Sequence, residues 1–108
     1  MSWRRVCRVE EIPKLGARVI RAPACGNGAA ADVAVFRTQD DRVFALADKC
    51  PHKGGPLSQG IVHGRHVTCP LHDWQVELAT GQALPPDEGN TACFAVKIED
   101  GAVFVELP

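Results

Sequence analysis

The sequence predicts an all-β fold, an antiparallel β-sandwich or small barrel, on three observations. Apolar residues recur at every second position in short runs, and no run keeps a helical period. Gly, Pro and Asp punctuate these runs at hairpin spacing. The chain has 108 residues and is expected to form one domain, 1–108.

Residues 3–9 alternate, with Trp3, Cys7 and Val9 on one side. Residues 10–15 read as a single helical turn, kept short by Pro13. A second short strand covers 17–22. Residues 32–38 and 42–47 flank Gln39-Asp40-Asp41, a hairpin turn. Residues 60–62 and 66–69 flank His63-Gly64-Arg65, a second hairpin. A third is expected where 73–78 and 82–84 flank Ala79-Thr80-Gly81. Phe94, Val96 and Ile98 face one way before Asp100-Gly101, and Val103, Val105 and Leu107 return on the partner strand.

Hydrophobic content of 45% and charged content of 23% are ordinary for a globular protein. A net charge of −1 leaves no basic footprint, so no nucleic-acid partner is expected. No apolar run is long enough to span a membrane. Arg4-Arg5 is followed by Glu10 and Glu11 and not by an apolar stretch, so a cytoplasmic protein without an export signal is expected. Of five cysteines, Cys7 and Cys93 lie in alternating apolar runs and read as buried thiols acting as small hydrophobes. Cys25, in a Pro/Gly-rich loop, reads as an exposed thiol. A reducing compartment suits all three.

The chemistry is concentrated in Cys50-Pro51-His52 and Cys69-Pro70-Leu71-His72. Each motif pairs one thiolate with one imidazole, and each falls in a loop at a strand end. Hairpin 60–69 brings Gly60 near Cys69, so both loops are expected at one end of the fold. Two mixed Cys/His pairs are the ligand set of a Rieske [2Fe–2S] centre, in which one iron takes both cysteines and the other both histidines. Cys50, His52, Cys69 and His72 are therefore the expected cofactor and metal ligands. Soft thiolates suit iron bound to sulfide. Neutral imidazoles leave the oxidised centre less negative than an all-thiolate cluster, which raises its potential.

The loop composition fits this use. Gly54 and Gly55 let the backbone pass close to the cluster sulfurs. Pro51, Pro56 and Pro70 fix φ and stiffen the loops. Structural zinc is the competing reading, yet zinc fingers place two cysteines in one pair and two histidines in the other, beside a helix. His63 and His66 read as solvated hairpin residues. Asp73 and Trp74, just after His72, either orient the imidazole and shield the cluster or simply pack; for Trp74 packing is the simpler reading.

The stretch Cys50-Pro-His-Lys-Gly-Gly-Pro-Leu-Ser-Gln-Gly-Ile-Val-His-Gly64, followed by Val67-Thr-Cys-Pro-Leu-His72, resembles the Rieske-type ferredoxin superfamily. With Leu78-Ala-Thr-Gly-Gln-Ala83 and Pro86-Asp-Glu-Gly89, it resembles more narrowly the small subunit of assimilatory NAD(P)H-dependent nitrite reductase. That resemblance implies an electron-transfer subunit, not itself catalytic. Its implied partner is a large subunit carrying FAD, a [4Fe–4S] cluster and sirohaem, which reduces nitrite to ammonium.

High-potential respiratory Rieske proteins carry a disulfide between the ligand loops, where this chain has Gly55 and Leu71. They also place Ser and Tyr hydroxyls on the cluster, where this chain has Trp74 and Val76. Lost hydrogen bonds to sulfur lower the potential, so a value around −150 mV, low in the Rieske range, is expected. The second function implied by the resemblance is a stand-alone ferredoxin delivering electrons to a ring-hydroxylating oxygenase. A third is a structural subunit whose metal only holds the loops.

Overall fold

The computed structural model describes residues 2–22, 31–49, 56–70, 73–85 and 89–107. Its strands form three antiparallel sheets, in agreement with the all-β expectation. The first contains β1 (Ser2–Arg8), β9 (Val96–Glu99) and β10 (Ala102–Leu107), in the order β1-β10-β9. The second contains β2 (Gly16–Ala22), β3 (Ala31–Arg37), β4 (Val43–Ala47) and β8 (Cys93–Phe94), in that order. The third contains β5 (Ile61–His63), β6 (His66–Thr68) and β7 (Gln75–Glu77). Among the described residues no helix is long and apolar enough to cross a membrane.

The four-stranded sheet separates two cores. Along β3, Val33 and Val35 enter a first core with Cys7, Ile12, Val43, Ala45, Val103 and Val105. Ala34 and Phe36, the alternate residues, enter a second core with Leu46, Leu57, Val62, Val67, Cys69, Val76 and Leu78. Strand geometry makes this possible, because successive side chains point to opposite faces. A strand buried on both faces must be apolar at every position, and residues 33–36 are Val-Ala-Val-Phe. Each fully buried Val, Leu or Phe contributes roughly 1.5–3 kcal/mol.

Turn chemistry closes the hairpins as expected. Asp100 and Gly101 both lie in the left-handed region, at φ 51° and 77°, as a type I′ turn requires. Gly64, at φ 57°, turns the chain between the paired residues His63 and His66, so His63 ends β5 and does not belong to the turn. The link from β3 to β4 is tied by Thr38 N–H donating to Arg42 O at 2.9 Å. The anticipated helical turn at 10–15 is a 3-10 turn over Val9–Glu11. Arg37 anchors the chain after it, donating from Nη1 to Ile12 O at 3.0 Å and from Nε to Asp41 Oδ1 at 2.9 Å.

Three expectations fail for physical reasons. Trp3 and Cys7 do not share a face: Trp3 is 41% exposed and Cys7 2%. The register shifts between Arg5 and Cys7, and the extra residue of this bulge reverses the alternation. The strand expected through 94–98 is split between two sheets, β8 pairing with β4 and β9 with β10. Phe94 and Val96 still pack on the first core, while Ile98, paired with Val103 on the edge strand β9, is half exposed. Cys93, expected to be buried, is exposed. It lies on the two-residue strand at the edge of its sheet, on the face opposite Phe94. Cys7 is buried as expected, and burial pushes its thiol pKa up. Cys25 lies outside the described residues.

Two glycines with positive φ separate strain from crowding. A Cβ on Gly81 would lie 2.3 Å from Thr91 O, whereas one on Gly64 would meet nothing within 4 Å. Gly81→Ala is expected to cost about 3 kcal/mol and Gly64→Ala about 1 kcal/mol, read from urea unfolding. A second prediction concerns acid. The hydrogen bond from the Arg37 guanidinium holds the Asp41 carboxyl below the usual aspartate range. A lower value in the folded state means that the native protein binds fewer protons than the unfolded chain. The resulting stability is present above the ordinary aspartate value of about 4 and is lost as pH falls through the depressed folded value. Asn tolerates the φ of 63° at this position. Urea midpoints of Asp41→Asn and wild type should therefore differ near neutrality and converge in acid.

Candidate metal centre

The candidate ligands lie on two loops whose feet stand side by side on the second core. Of the four, Cys69 is described; Cys50, His52 and His72 lie outside the described residues. Cys69 directly follows β6, is 1% exposed and is in no disulfide. It shares its core with Leu57, which follows the first loop. Among the described residues no group of three or more His, Cys, Asp or Glu side chains gathers to hold a metal.

The second loop is closed by the backbone. Cys69 N–H donates to Trp74 O at 2.7 Å, and Asp73 N–H donates to Cys69 O at 3.2 Å. These bonds extend the β6–β7 hairpin, in which Thr68 pairs with Gln75. Asp73 adopts φ 57°, a left-handed conformation that the short polar Asp side chain tolerates. Trp74 packs, half-buried, against the second core.

The first loop is closed by a side chain. Asp48 follows β4, and its N–H donates to Asp32 O at 2.9 Å, fixing it to the central sheet. Its carboxylate accepts twice from Ser58: from the N–H at Oδ1, 2.7 Å, and from the hydroxyl at Oδ2, 2.8 Å. Ser58 lies in the 3-10 turn Leu57–Gln59, pinned by the fully buried Leu57. The sequence reading missed both residues, although Asp48 stands two positions before Cys50 and Ser58 lies in the Pro-Leu-Ser-Gln-Gly stretch.

Gly60 joins the two feet. A Cβ there would lie 2.2 Å from Thr68 O and 3.0 Å from Val67 Cγ2, so the chain leaving the first loop passes directly over the strand entering the second. This is the convergence expected from hairpin 60–69. His63 and His66 stand away from it on the outer face of the small sheet. Their ring centroids are 6.1 Å apart, and His63 Nε2 lies 2.8 Å from Thr68 Oγ1. Val76, fully buried in the same core as Cys69, offers no hydroxyl to a nearby sulfur.

A buried, unpaired thiol at a strand end is a donor suited to a soft or borderline metal such as iron. By donor chemistry the residues fit a Rieske centre: Cys50 and His52 with Cys69 and His72 would hold it as its mixed thiolate and imidazole set. Such a cluster supplies a site that takes up and gives back one electron.

The contact at Gly60 yields a direct test. Gly60→Ala forces its Cβ into the Thr68 carbonyl, a backbone group that cannot rotate away. The substitution is expected to cost about 2 kcal/mol of stability, measured by urea unfolding. It should also accelerate amide exchange in β5 and β6 relative to β3.

Residues 2–106 match the family profile of the Rieske-like [2Fe-2S] domain. A 3-phenylpropionate/cinnamic acid dioxygenase ferredoxin subunit of Photorhabdus laumondii is 34% identical over 109 residues, spanning 99% of this chain and 96% of that protein. Among solved structures, a chain of the complex of reduced oxygenase and oxidized ferredoxin in carbazole 1,9a-dioxygenase is 28% identical. Its TM-score is 0.75, and the match covers 95% of this chain and 91% of that one. A structure named for the small subunit of an NADH-dependent nitrite reductase from Mycobacterium tuberculosis has a TM-score of 0.76 at 22% identity, over 96% and 93% of the two chains. At that identity the likeness is one of fold. With a profile running from residue 2 to residue 106, the chain belongs to the Rieske-like [2Fe-2S] domain family, electron-transfer proteins whose cofactor is a Rieske [2Fe–2S] cluster.

Proposed function

We propose that this chain is a ferredoxin delivering single electrons to a ring-hydroxylating oxygenase, with the cluster held by Cys50, His52, Cys69 and His72 in one domain over 1–108. The observation that carries the reading is the end-to-end likeness to a dioxygenase ferredoxin subunit at 34% identity. The matched chain of the carbazole dioxygenase complex supports it, since that structure pairs a ferredoxin with an oxygenase. The chain itself performs no catalysis in this scheme. Free thiols at Cys7 and Cys93, neither of them a proposed ligand, suit a cytoplasmic, reducing setting.

The second reading is the small subunit of an assimilatory NAD(P)H nitrite reductase, docked on the sirohaem- and FAD-bearing large subunit. Its support is the run from Cys50 to Gly64 with Pro86-Asp-Glu-Gly89, together with the shared fold. The two readings differ in the partner and not in the cofactor.

Deletion in the native cell separates them. A ferredoxin role predicts loss of aromatic-ring hydroxylation, restored by the purified protein with its reductase and NADH, while nitrite-dependent NAD(P)H oxidation persists. Loss of the nitrite activity with hydroxylation intact would replace the first reading by the second. The purified protein should be coloured, with the low average g of a reduced Rieske centre. Redox titration should place its potential around −150 mV, because Val76 and Trp74 stand where higher-potential relatives carry hydroxyls. A colourless zinc protein would end both readings.

A further inference from the structure

We infer that Asp48 is the positioning residue of the first ligand loop, its carboxylate fixing the loop's two ends through Ser58 and so governing how firmly the cluster is retained. The inference rests on the proposed ligand roles of Cys50 and His52. Asp48 immediately precedes the segment 49–57 that carries them, and Ser58 immediately follows it. Both anchors are themselves fixed. Asp48 N–H donates to Asp32 O on β3, and the neighbouring Lys49 N–H donates to Ala47 O at 2.7 Å. On the far side, Gln59 N–H donates to Pro56 O at 3.0 Å and Gly60 N–H to Leu57 O at 2.9 Å, while Leu57 is fully buried.

Asp48 thus joins two rigid pieces. One side chain accepts both a backbone and a hydroxyl donor, so two hydrogen bonds close the loop at a single residue. Fixing both ends removes the chain entropy that the loop would otherwise regain whenever a ligand lets go. In the second loop the backbone makes the closure, Cys69 and Trp74 continuing a β ladder.

The test compares Asp48→Ala, Asp48→Asn and Ser58→Ala in the full chain, loaded with cluster. Iron release to a chelator and the linewidth of the reduced EPR signal are read together. Asp48→Ala is expected to release iron about tenfold faster, the factor that corresponds to 1.4 kcal/mol, and to broaden the signal. Ser58→Ala, which keeps the N–H bond, should accelerate release about threefold, reflecting one neutral-donor bond lost. In Asp48→Asn the amide oxygen can still accept from Ser58 N–H and the amide nitrogen can donate to the hydroxyl, so release and linewidth should stay close to wild type. Wild-type release and linewidth in both Asp48→Ala and Ser58→Ala would overturn the inference. Equal changes in Asp48→Ala and Asp48→Asn would also overturn it, because charge alone would then explain them. If Asp48→Ala does not fold, Ser58→Ala releasing faster than Asp48→Asn supports the inference and the reverse order overturns it. Cys50→Ser is the separate control: a Rieske spectrum retained there defeats the ligand assignment, whatever the Asp48 variants do.

Discussion

Burial of β3 and β4 on both faces is the constraint on which the rest of the structure depends. A sheet with one wet face would need a single covering layer. Here Val33, Val35, Val43 and Ala45 require one cover, and Ala34, Phe36 and Leu46 require another on the opposite side. The terminal strands β1 and β10 supply the first through Cys7, Val103 and Val105. The short sheet β5-β6-β7 supplies the second through Val62, Val67 and Val76. The two layers can therefore serve different ends, one sealing the fold and the other presenting the loops.

The presenting layer is small, and three-residue strands with one inward side chain each give little cohesion of their own. Its rigidity comes from how it is tied. Leu57 and Leu78 bury themselves in the same core, and Gly60 lets the chain lie against the Thr68 carbonyl at a distance no other residue permits. Leu78 N–H donates to Arg65 O at 2.9 Å, and Leu84 N–H to Gln75 O at 2.9 Å, extending the ladder beyond the strands. Loops that must hold an electron-transfer centre benefit from such a base, since a cofactor on a rigid scaffold keeps its geometry in both charge states.

Much of this was legible in the sequence because it depends on local rules. Asp100-Gly101 encodes a turn with two positive φ values, and alternation around it gives β9 and β10. The hairpin around Gly64 follows the same local rule, with His63 and His66 paired on either side of it. What escaped depends on interactions distant in sequence. The bulge between Arg5 and Cys7 answers to pairing with β10, which no local pattern reveals. The crossing of the chain from β8 to β9 at Ala95 satisfies two sheets at once, and it leaves Cys93 on an edge instead of in a core. Asp48 and Ser58 are an ordinary Asp and Ser until the fold brings them together across the loop.

The same division explains why the cofactor is easier to read than the partner. The cofactor is specified by a few ligands of fixed chemistry and by buried positions around them, such as Cys69, Val76 and Leu57. The fold is common to both kinds of relative: the carbazole dioxygenase complex and the nitrite reductase small subunit match this chain with TM-scores of 0.75 and 0.76. Partner choice is written on exposed residues, where packing imposes nothing and charge and shape vary freely. This chain exposes Ile61 at 70%, and on the outer face of the terminal sheet it sets Lys97 Nζ over the Trp3 ring at 4.6 Å. Neither is required by the fold. Exposed side chains of this kind, free of packing constraints, are where a docking partner exerts its preference.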